Sequence, residues 1–233
     1  MASERVERRL AAILAADVVS YSRMMEVDEE GTLGRLNTLQ RDVFEPTIRQ
    51  YGGRIFKTMG DGTLVEFPSA VDAVRSAADI QHALAERDMG GAEDRRIRLR
   101  IGISLGEVIV EGGDLYGDTV NVAARMETLA EPGGVCISGS AYDHVAGKID
   151  ARFDDLGPQI VKNIARPIRV LRVRPASGVK GEQVTDVSAP VPGFEGRPAI
   201  AVLPLQNLSG DSEQNYFADG IAEDILTRLA MWR

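Results

Sequence analysis

Cysteine is almost missing from this 233-residue chain: Cys136 stands alone, which excludes an internal disulfide and a cysteine-based zinc site. Histidine is nearly as scarce, and His82 and His144 stand at no metal-ligating spacing. No apolar run approaches the ~18 residues a membrane helix needs, so the sequence predicts no bilayer span. Basic residues are in deficit, 27 Lys and Arg against 35 Asp and Glu, for a net charge of −8. Non-specific nucleic-acid binding depends on basic surface that neutralises phosphates, so that balance argues against a nucleic-acid partner. What is present is ordinary for a globular chain: 44% hydrophobic residues, 27% charged, 24 Gly and 10 Pro. The length suits one generous domain and a fragment, or two small domains.

Charge is unevenly spread. Residues 175–233 hold four basic and eight acidic residues, half of the net charge in a quarter of the length. At the N-terminus, Arg8-Arg9 followed by the apolar Leu10–Ala16 resembles a secretion signal. Glu4 and Glu7 dilute its basic region, however, and Asp17 interrupts the apolar run early. The better reading is a buried β-strand ending in a functional aspartate, in a chain whose single thiol suits the cytoplasm.

Apolar periodicity lays out the rest. Leu33, Leu36, Val43, Phe44 and Ile48 recur at helical spacing until Gly52-Gly53. A hairpin follows, Arg54–Met59 and Thr63–Phe67 about Gly60-Asp61-Gly62. Ser69, with Asp72 three residues on, opens a second helix that carries Val71, Val74, Ala78 and Leu84. A strand alternating at Ile97, Leu99, Ile101 and Ile103 continues through Val110. This order is the ferredoxin-like β-α-β-β-α-β unit. Beyond it lie the segment 113–127, a short strand at Val135–Ser138 and a β-rich stretch at Ile160–Val173. The predicted fold class is α+β: a ferredoxin-like core over residues 8–174 with a C-terminal β-rich extension. A Pro- and Gly-rich linker then spans 175–197, and residues 198–233 read as a strand and helix opening a truncated α/β domain.

Asp17 closes an apolar strand, where a carboxylate has no packing role, and Asp61 sits in the hairpin turn. In this sheet the first strand lies beside the hairpin, so the two can converge. Paired hard carboxylates at a sheet edge suit Mg²⁺, which shares its oxygen ligands with substrate phosphates. Asn121 and Arg125, at i and i+4, share one helix face, and a planar guanidinium beside an amide suits a charged phosphoryl transition state. Lys57 is a lone cation in the hairpin; guarding an edge strand would be its bland role.

Three segments carry a resemblance: Ala15-Ala-Asp-Val-Val-Ser-Tyr-Ser22, Phe56-Lys-Thr-Met-Gly-Asp-Gly62 and Asp114-Leu-Tyr-Gly-Asp-Thr-Val-Asn-Val-Ala-Ala-Arg-Met126. In order and spacing they resemble the signatures of class III nucleotidyl cyclases, over about residues 8–174. The resemblance implies that Asp17 and Asp61 bind two divalent cations, Mg²⁺ or Mn²⁺, and that the backbone through Ser20 and Tyr21 cradles a triphosphate. It implies that Lys57 and Asp114 read the purine, with a donor to N1 and an acceptor from the 6-amino group, which fits adenine and mismatches guanine. Asn121 and Arg125 would orient the ribose and stabilise the α-phosphate transition state. Lys162 would hold the terminal phosphates, although Asn163 stands where the family usually has glycine. The family draws the metal aspartates and the purine, Asn and Arg residues from different subunits, which implies a homodimer with two composite sites. The expectation is a cytoplasmic adenylate cyclase acting on ATP. Segments like 197–225 precede helical repeats in many bacterial multidomain cyclases, which implies a downstream partner domain.

Rival readings are weaker. Gly102-Ile-Ser-Leu-Gly106 fits the nucleophile elbow of α/β-hydrolases, but that elbow must turn into a helix and Glu107–Val110 continues as strand. A Gly-punctuated strand passing close to its neighbours explains it better. A silent nucleotide-binding or dimerisation module would keep the fold, yet degenerate cyclase domains typically lose a metal aspartate or the Asn/Arg pair, and all are present here. A guanylate cyclase disagrees with Lys57 and Asp114. Cys136, between Val135 and Ile137, reads as a small core hydrophobe.

Overall fold

The computed structural model describes residues 7–88, 96–160 and 166–175. Lys162, the segment 198–233 and all but the first residue of the predicted linker lie outside the described residues. Strand β1 (Glu7–Val18) is the stretch that resembles a secretion signal, and it is the middle of a sheet, paired to strands on both sides. Its even residues Ala12, Leu14, Ala16 and Val18 join one apolar cluster, and Ala11, Ile13 and Ala15 join another. Both faces are covered, which explains a continuous apolar run in place of alternation.

After β1 come α1 (Tyr21–Val27), α2 (Glu29–Leu39), a π-helical stretch at Gln40–Phe44 and α3 (Glu45–Gln50), where the periodicity predicts one helix. Leu36, Val43, Phe44 and Ile48 are buried as expected, whereas Leu33 is 46% exposed. Pro46 has no N–H to give to the preceding turn, and the helix widens there. Gly52, at φ 69°, ends it, and the Gly53 N–H closes back on the Ile48 carbonyl at 2.8 Å.

The hairpin β2 (Arg54–Met59) and β3 (Gly62–Phe67) turns at Gly60 and Asp61. Helix α4 (Ala70–Asp88) starts where Ser69 Oγ accepts from the Asp72 N–H. Then follow β4 (Leu99–Glu111), β5 (Asp114–Tyr116), α5 (Asp118–Leu129), β6 (Val135–Ser138), α6 (Gly139–Val145), β7 (Ala151–Gln159) and β8 (Ile168–Pro175). The strand order is β2-β3-β1-β4-β6-β8-β7, with β5 paired to β4. The first four strands are the antiparallel ferredoxin-like core, and β6, parallel to β4, begins the extension. The extension starts before Ile160, because β7 hides its alternation behind a register shift between Asp155 and Pro158. Among the described residues no helix is long and apolar enough to cross a membrane.

The helices divide between the faces. Helices α2, α3, α4 and α6 cover the even side of β1, and α5 covers the odd side. Helix α5 lies on two glycines of β4: a Cβ on Gly102 would stand 2.0 Å from the Glu127 nitrogen, and one on Gly106 would stand 2.5 Å from Thr119 Oγ1. The apparent nucleophile elbow is therefore a landing strip for a helix. Its serine, Ser104, is 3% exposed and receives a hydrogen bond from Ser138 Oγ at 3.2 Å. Cys136 is fully buried, and burial pushes its thiol up to about 11, as befits a core hydrophobe. His82 meets Glu86 along α4, and His144 Nδ1 lies 2.9 Å from the Ser140 carbonyl.

One charge is buried on the α5 side. Glu66 of β3 is 6% exposed and is held between Arg9 of β1 and Arg54 of β2. Burial pushes its carboxyl up, but hydrogen bonds from the two guanidiniums outweigh that and hold it below the usual carboxylate range. A lowered folded-state value means that the unfolded chain binds the proton more readily. The stabilisation is therefore complete above the ordinary carboxylate range and fades as pH falls through the folded value. Glu66→Gln should cost about 2 kcal/mol at pH 7, with the gap narrowing steadily in acid. Urea titrations of both proteins from pH 7 downward check this; a gap that widens in acid would contradict it.

Candidate active site

Asp17 is an odd residue of β1 and so stands on the α5 face, opposite Arg100 of β4. The β2–β3 turn closes over it: a Cβ on Gly62 would be 3.7 Å from Asp17 Oδ1. The Asp17 and Asp61 carboxyls lie close enough to act on one another. Burial first, and then the neighbouring Asp61 carboxyl, push the Asp17 carboxyl up to about 6. Two carboxylates held this way need a proton or a cation between them. A divalent cation fits the donor set, since Mg²⁺ takes one or two protein carboxylates and leaves its other positions to water and phosphate oxygens.

Two neighbours of this pair escape a sequence reading. Glu127, near the end of α5, is pushed up to about 7, by burial first and then by the charge of Asp17. Arg100 opposes that shift and the one on Asp17, and its Nε is buried with no hydrogen-bond partner in the protein. Arg100 is one of several arginines in Arg95–Arg100, so nothing in composition singles it out. Its signal is its register opposite Asp17, which needs the strand pairing.

Ser20 follows the strand with φ 59° and ψ 30°, and among the described residues it alone is a non-glycine at positive φ. Such a residue costs about 1–2 kcal/mol, an expense typical of functional sites. The Tyr21 side chain packs against the main core.

Lys57 lies on the edge strand, as expected, but it is not a free lysine. Counted back from the turn it pairs with Leu64, which points into the α5-side cluster, so Lys57 shares that face. Its Nζ is 3.5 Å from Asp114 Oδ2 and 5.8 Å from the centre of the Tyr116 ring. The Tyr116 hydroxyl donates to the same Asp114 oxygen at 3.4 Å. Upstream of Lys57 a bulge between Ile55 and Lys57 resets the register, so that Ile55 pairs with Val65 and Arg54 with Glu66.

Asn121 and Arg125 both belong to α5. Asn121 is exposed and Arg125 half-buried, while Thr119, Val122, Ala123 and Met126 bury the opposite side of the helix. The structure thus brings together Asp17 with Asp61 and Lys57 with Asp114, and it places Asn121 and Arg125 one turn apart.

The sequence matches the adenylate and guanylate cyclase catalytic domain family over residues 4–172. The chain belongs to that family. A Rhizobium meliloti (strain 1021) protein named "Putative adenylate cyclase 3" is 50% identical over 230 residues, which are 99% of this chain and 39% of that protein. A Streptomyces coelicolor adenylate cyclase is 34% identical over 149 residues, 64% of this chain and 37% of the other. The cyclase domain therefore comes with a chain that spans under two fifths of the length of these relatives in each case. Among solved structures, the adenylate/guanylate cyclase/hydrolase from Silicibacter pomeroyi superposes with a TM-score of 0.70 at 46% identity, covering 73% of this chain and 99% of that one. The adenylyl cyclase CyaB from P. aeruginosa shares the fold, with a TM-score of 0.64 at 23% identity over 76% of this chain and 98% of its own. The mixed α+β sheet described here is thus the class III cyclase catalytic fold.

Proposed function

We propose that this cyclase domain converts ATP to 3′,5′-cyclic AMP and pyrophosphate, at composite sites formed by two copies of the chain. The observation that carries the choice of ATP is the Lys57–Asp114 pair on the α5 face. A base that enters it meets one donor and one acceptor. Adenine offers an N1 acceptor and a 6-amino donor; guanine offers the opposite pattern at both positions and would leave both side chains unpaired.

Asp17 and Asp61 would hold two divalent cations, which when bound supply Lewis-acid activation of the ribose 3′-hydroxyl and charge neutralisation on the leaving pyrophosphate. The chain's own groups do the rest. Lys57 and Asp114 fix the base, and Asn121 orients the ribose, which aims its 3′-oxygen at the α-phosphorus. A bond forms between that oxygen and the α-phosphorus, the bond to the β-phosphate's bridging oxygen breaks, and the hydroxyl proton leaves to water. Arg125 meets the charge that develops on the α-phosphate oxygens. The backbone N–H groups at Ser20 and Tyr21, together with Lys162, hold the β- and γ-phosphates. Arg100, beside Asp17 with an unused N–H, adds positive charge where the phosphates arrive.

The two-copy arrangement draws on the family's division of labour and on surface chemistry. Met59, 56% exposed beside the Asp61 turn, and Tyr116, 44% exposed beside Lys57, offer apolar area around the site for a second subunit to cover. The site is expected in the cytoplasm, where ATP and Mg²⁺ are plentiful.

The test incubates the purified chain with ATP and, separately, GTP, each with Mg²⁺ or Mn²⁺, and resolves the products by chromatography. Cyclic AMP should form with kcat/KM about a hundredfold above that for cyclic GMP. Cyclic GMP as the main product would overturn the adenine assignment, and no cyclic nucleotide from either substrate would leave a silent binding module.

A further inference from the structure

We propose that Arg54 is a positioning residue for purine recognition: it clamps the β4–β5 turn onto the edge hairpin and so sets the spacing of Lys57 and Asp114. This rests on the reading of Lys57 and Asp114 as the pair that meets the base. The clamp has a fixed end and a working end. At the fixed end, Arg54 Nε and Nη2 donate to Glu66 Oε2 at 3.1 and 2.8 Å. Glu66 is nearly inaccessible, and Arg9 occupies its other carboxylate oxygen, so it cannot swing. At the working end, Arg54 Nη1 donates to the Gly113 carbonyl at 2.9 Å, across 59 residues of sequence.

That carbonyl belongs to the residue just before Asp114. The turn it sits in is the two-residue connection of the β4–β5 hairpin, closed by the pairing of Glu111 with Asp114. Gly112 and Gly113 adopt φ of 60° and 91°, no atom lies within 4 Å of where their side chains would be, and β5 is three residues long. Such a short hairpin fixes the register of Asp114 on β4 but leaves its approach to the edge hairpin to a grip from outside. Arg54 is that grip, and its reach follows from the β-bulge, which sets Arg54 opposite Glu66 on the same face as Lys57. The geometry uses three N–H groups of one planar guanidinium. A lysine could keep the charge pair with Glu66 but has no fork to reach the Gly113 carbonyl as well.

The test measures kcat and KM of the full chain for ATP and GTP in Arg54→Lys, Arg54→Gln, Asp114→Asn and the two Arg54 changes combined with Asp114→Asn. Arg54→Lys should raise KM for ATP about five- to tenfold with kcat changed by less than about twofold, and lower the preference for ATP over GTP. Arg54→Gln should do the same. With Asp114→Asn already in place, either Arg54 change should raise KM no further, because the clamp acts through Asp114. Arg54→Lys keeps the ion pair, so its melting temperature should stay within about 3 °C of the parent and folding loss cannot mimic the effect. Wild-type KM in Arg54→Lys, or effects that simply multiply with Asp114→Asn, would overturn the clamp while leaving the purine pair intact. An Asp114→Asn chain with unchanged KM and nucleotide preference would instead overturn the purine reading, and the clamp with it.

Discussion

Chains carrying Asp17→Ala, mixed with chains carrying Arg125→Ala, should recover cyclic nucleotide formation that neither supports alone. Each variant lacks one half of every composite site. Asp17→Ala removes a carboxylate from the Asp17–Asp61 pair, and Arg125→Ala removes the guanidinium that meets the α-phosphate; each should lower kcat by at least about a hundredfold to a thousandfold. If a site takes its aspartates from one chain and Asn121 and Arg125 from the other, a heterodimer has one site with both lesions and one with neither. Random pairing makes half of the dimers mixed, so the mixture should reach about a quarter of the parent rate. Two tagged versions, purified in tandem, isolate the mixed dimer. Silence in that sample would reject the shared site; activity in either variant alone would show that the replaced side chain is not needed for turnover.

Gly102→Ala should be the most damaging single-methyl addition in the described structure. The new Cβ would stand 2.0 Å from the Glu127 nitrogen, 2.3 Å from the Ala123 carbonyl oxygen and 2.6 Å from the Met126 carbonyl carbon, all of them α5 backbone. No side chain can turn aside to make room, so either α5 lifts off β4 or the strand retreats. The expected cost is about 3 kcal/mol or more, a fall in melting temperature of about 10 °C. Because α5 carries Asn121 and Arg125, activity should fall with it, even at temperatures where the variant is folded. Gly34→Ala is the control: it lies exposed in α2 with nothing within 4 Å and should stabilise the protein by about 1 kcal/mol. Equal melting temperatures for Gly102→Ala and the parent would show that α5 does not sit on this strand as described.

How legible the molecule is in its sequence depends on whether the signal is local. Asp17 ending an apolar strand and Asp61 in a Gly-Asp-Gly turn are local, and the strand order β2-β3-β1-β4 follows from the β-α-β-β-α-β succession, so their meeting can be foreseen. Arg100 and Glu127 cannot: one is defined by cross-strand register and the other by where α5 ends over β4. The two glycines of β4 are visible as letters, but their purpose depends on helix residues thirteen or more positions away in sequence, and a hydrolase motif matches the same letters. Strand β7 was hidden by its register shift, and the division of the first helical region by Pro46.

The bulge in β2 makes the partnership of Arg54 and Lys57 a matter of counting. In a regular strand, residues three apart face opposite sides; here one supernumerary residue brings 54 and 57 to the same side. A lineage could keep every side chain named in this site and still part Arg54 from Glu66 by losing a single residue between them. Comparisons of related chains that score identity but tolerate gaps would miss that loss, so spacing between Gly53 and Gly60 is a trait to be inherited in its own right.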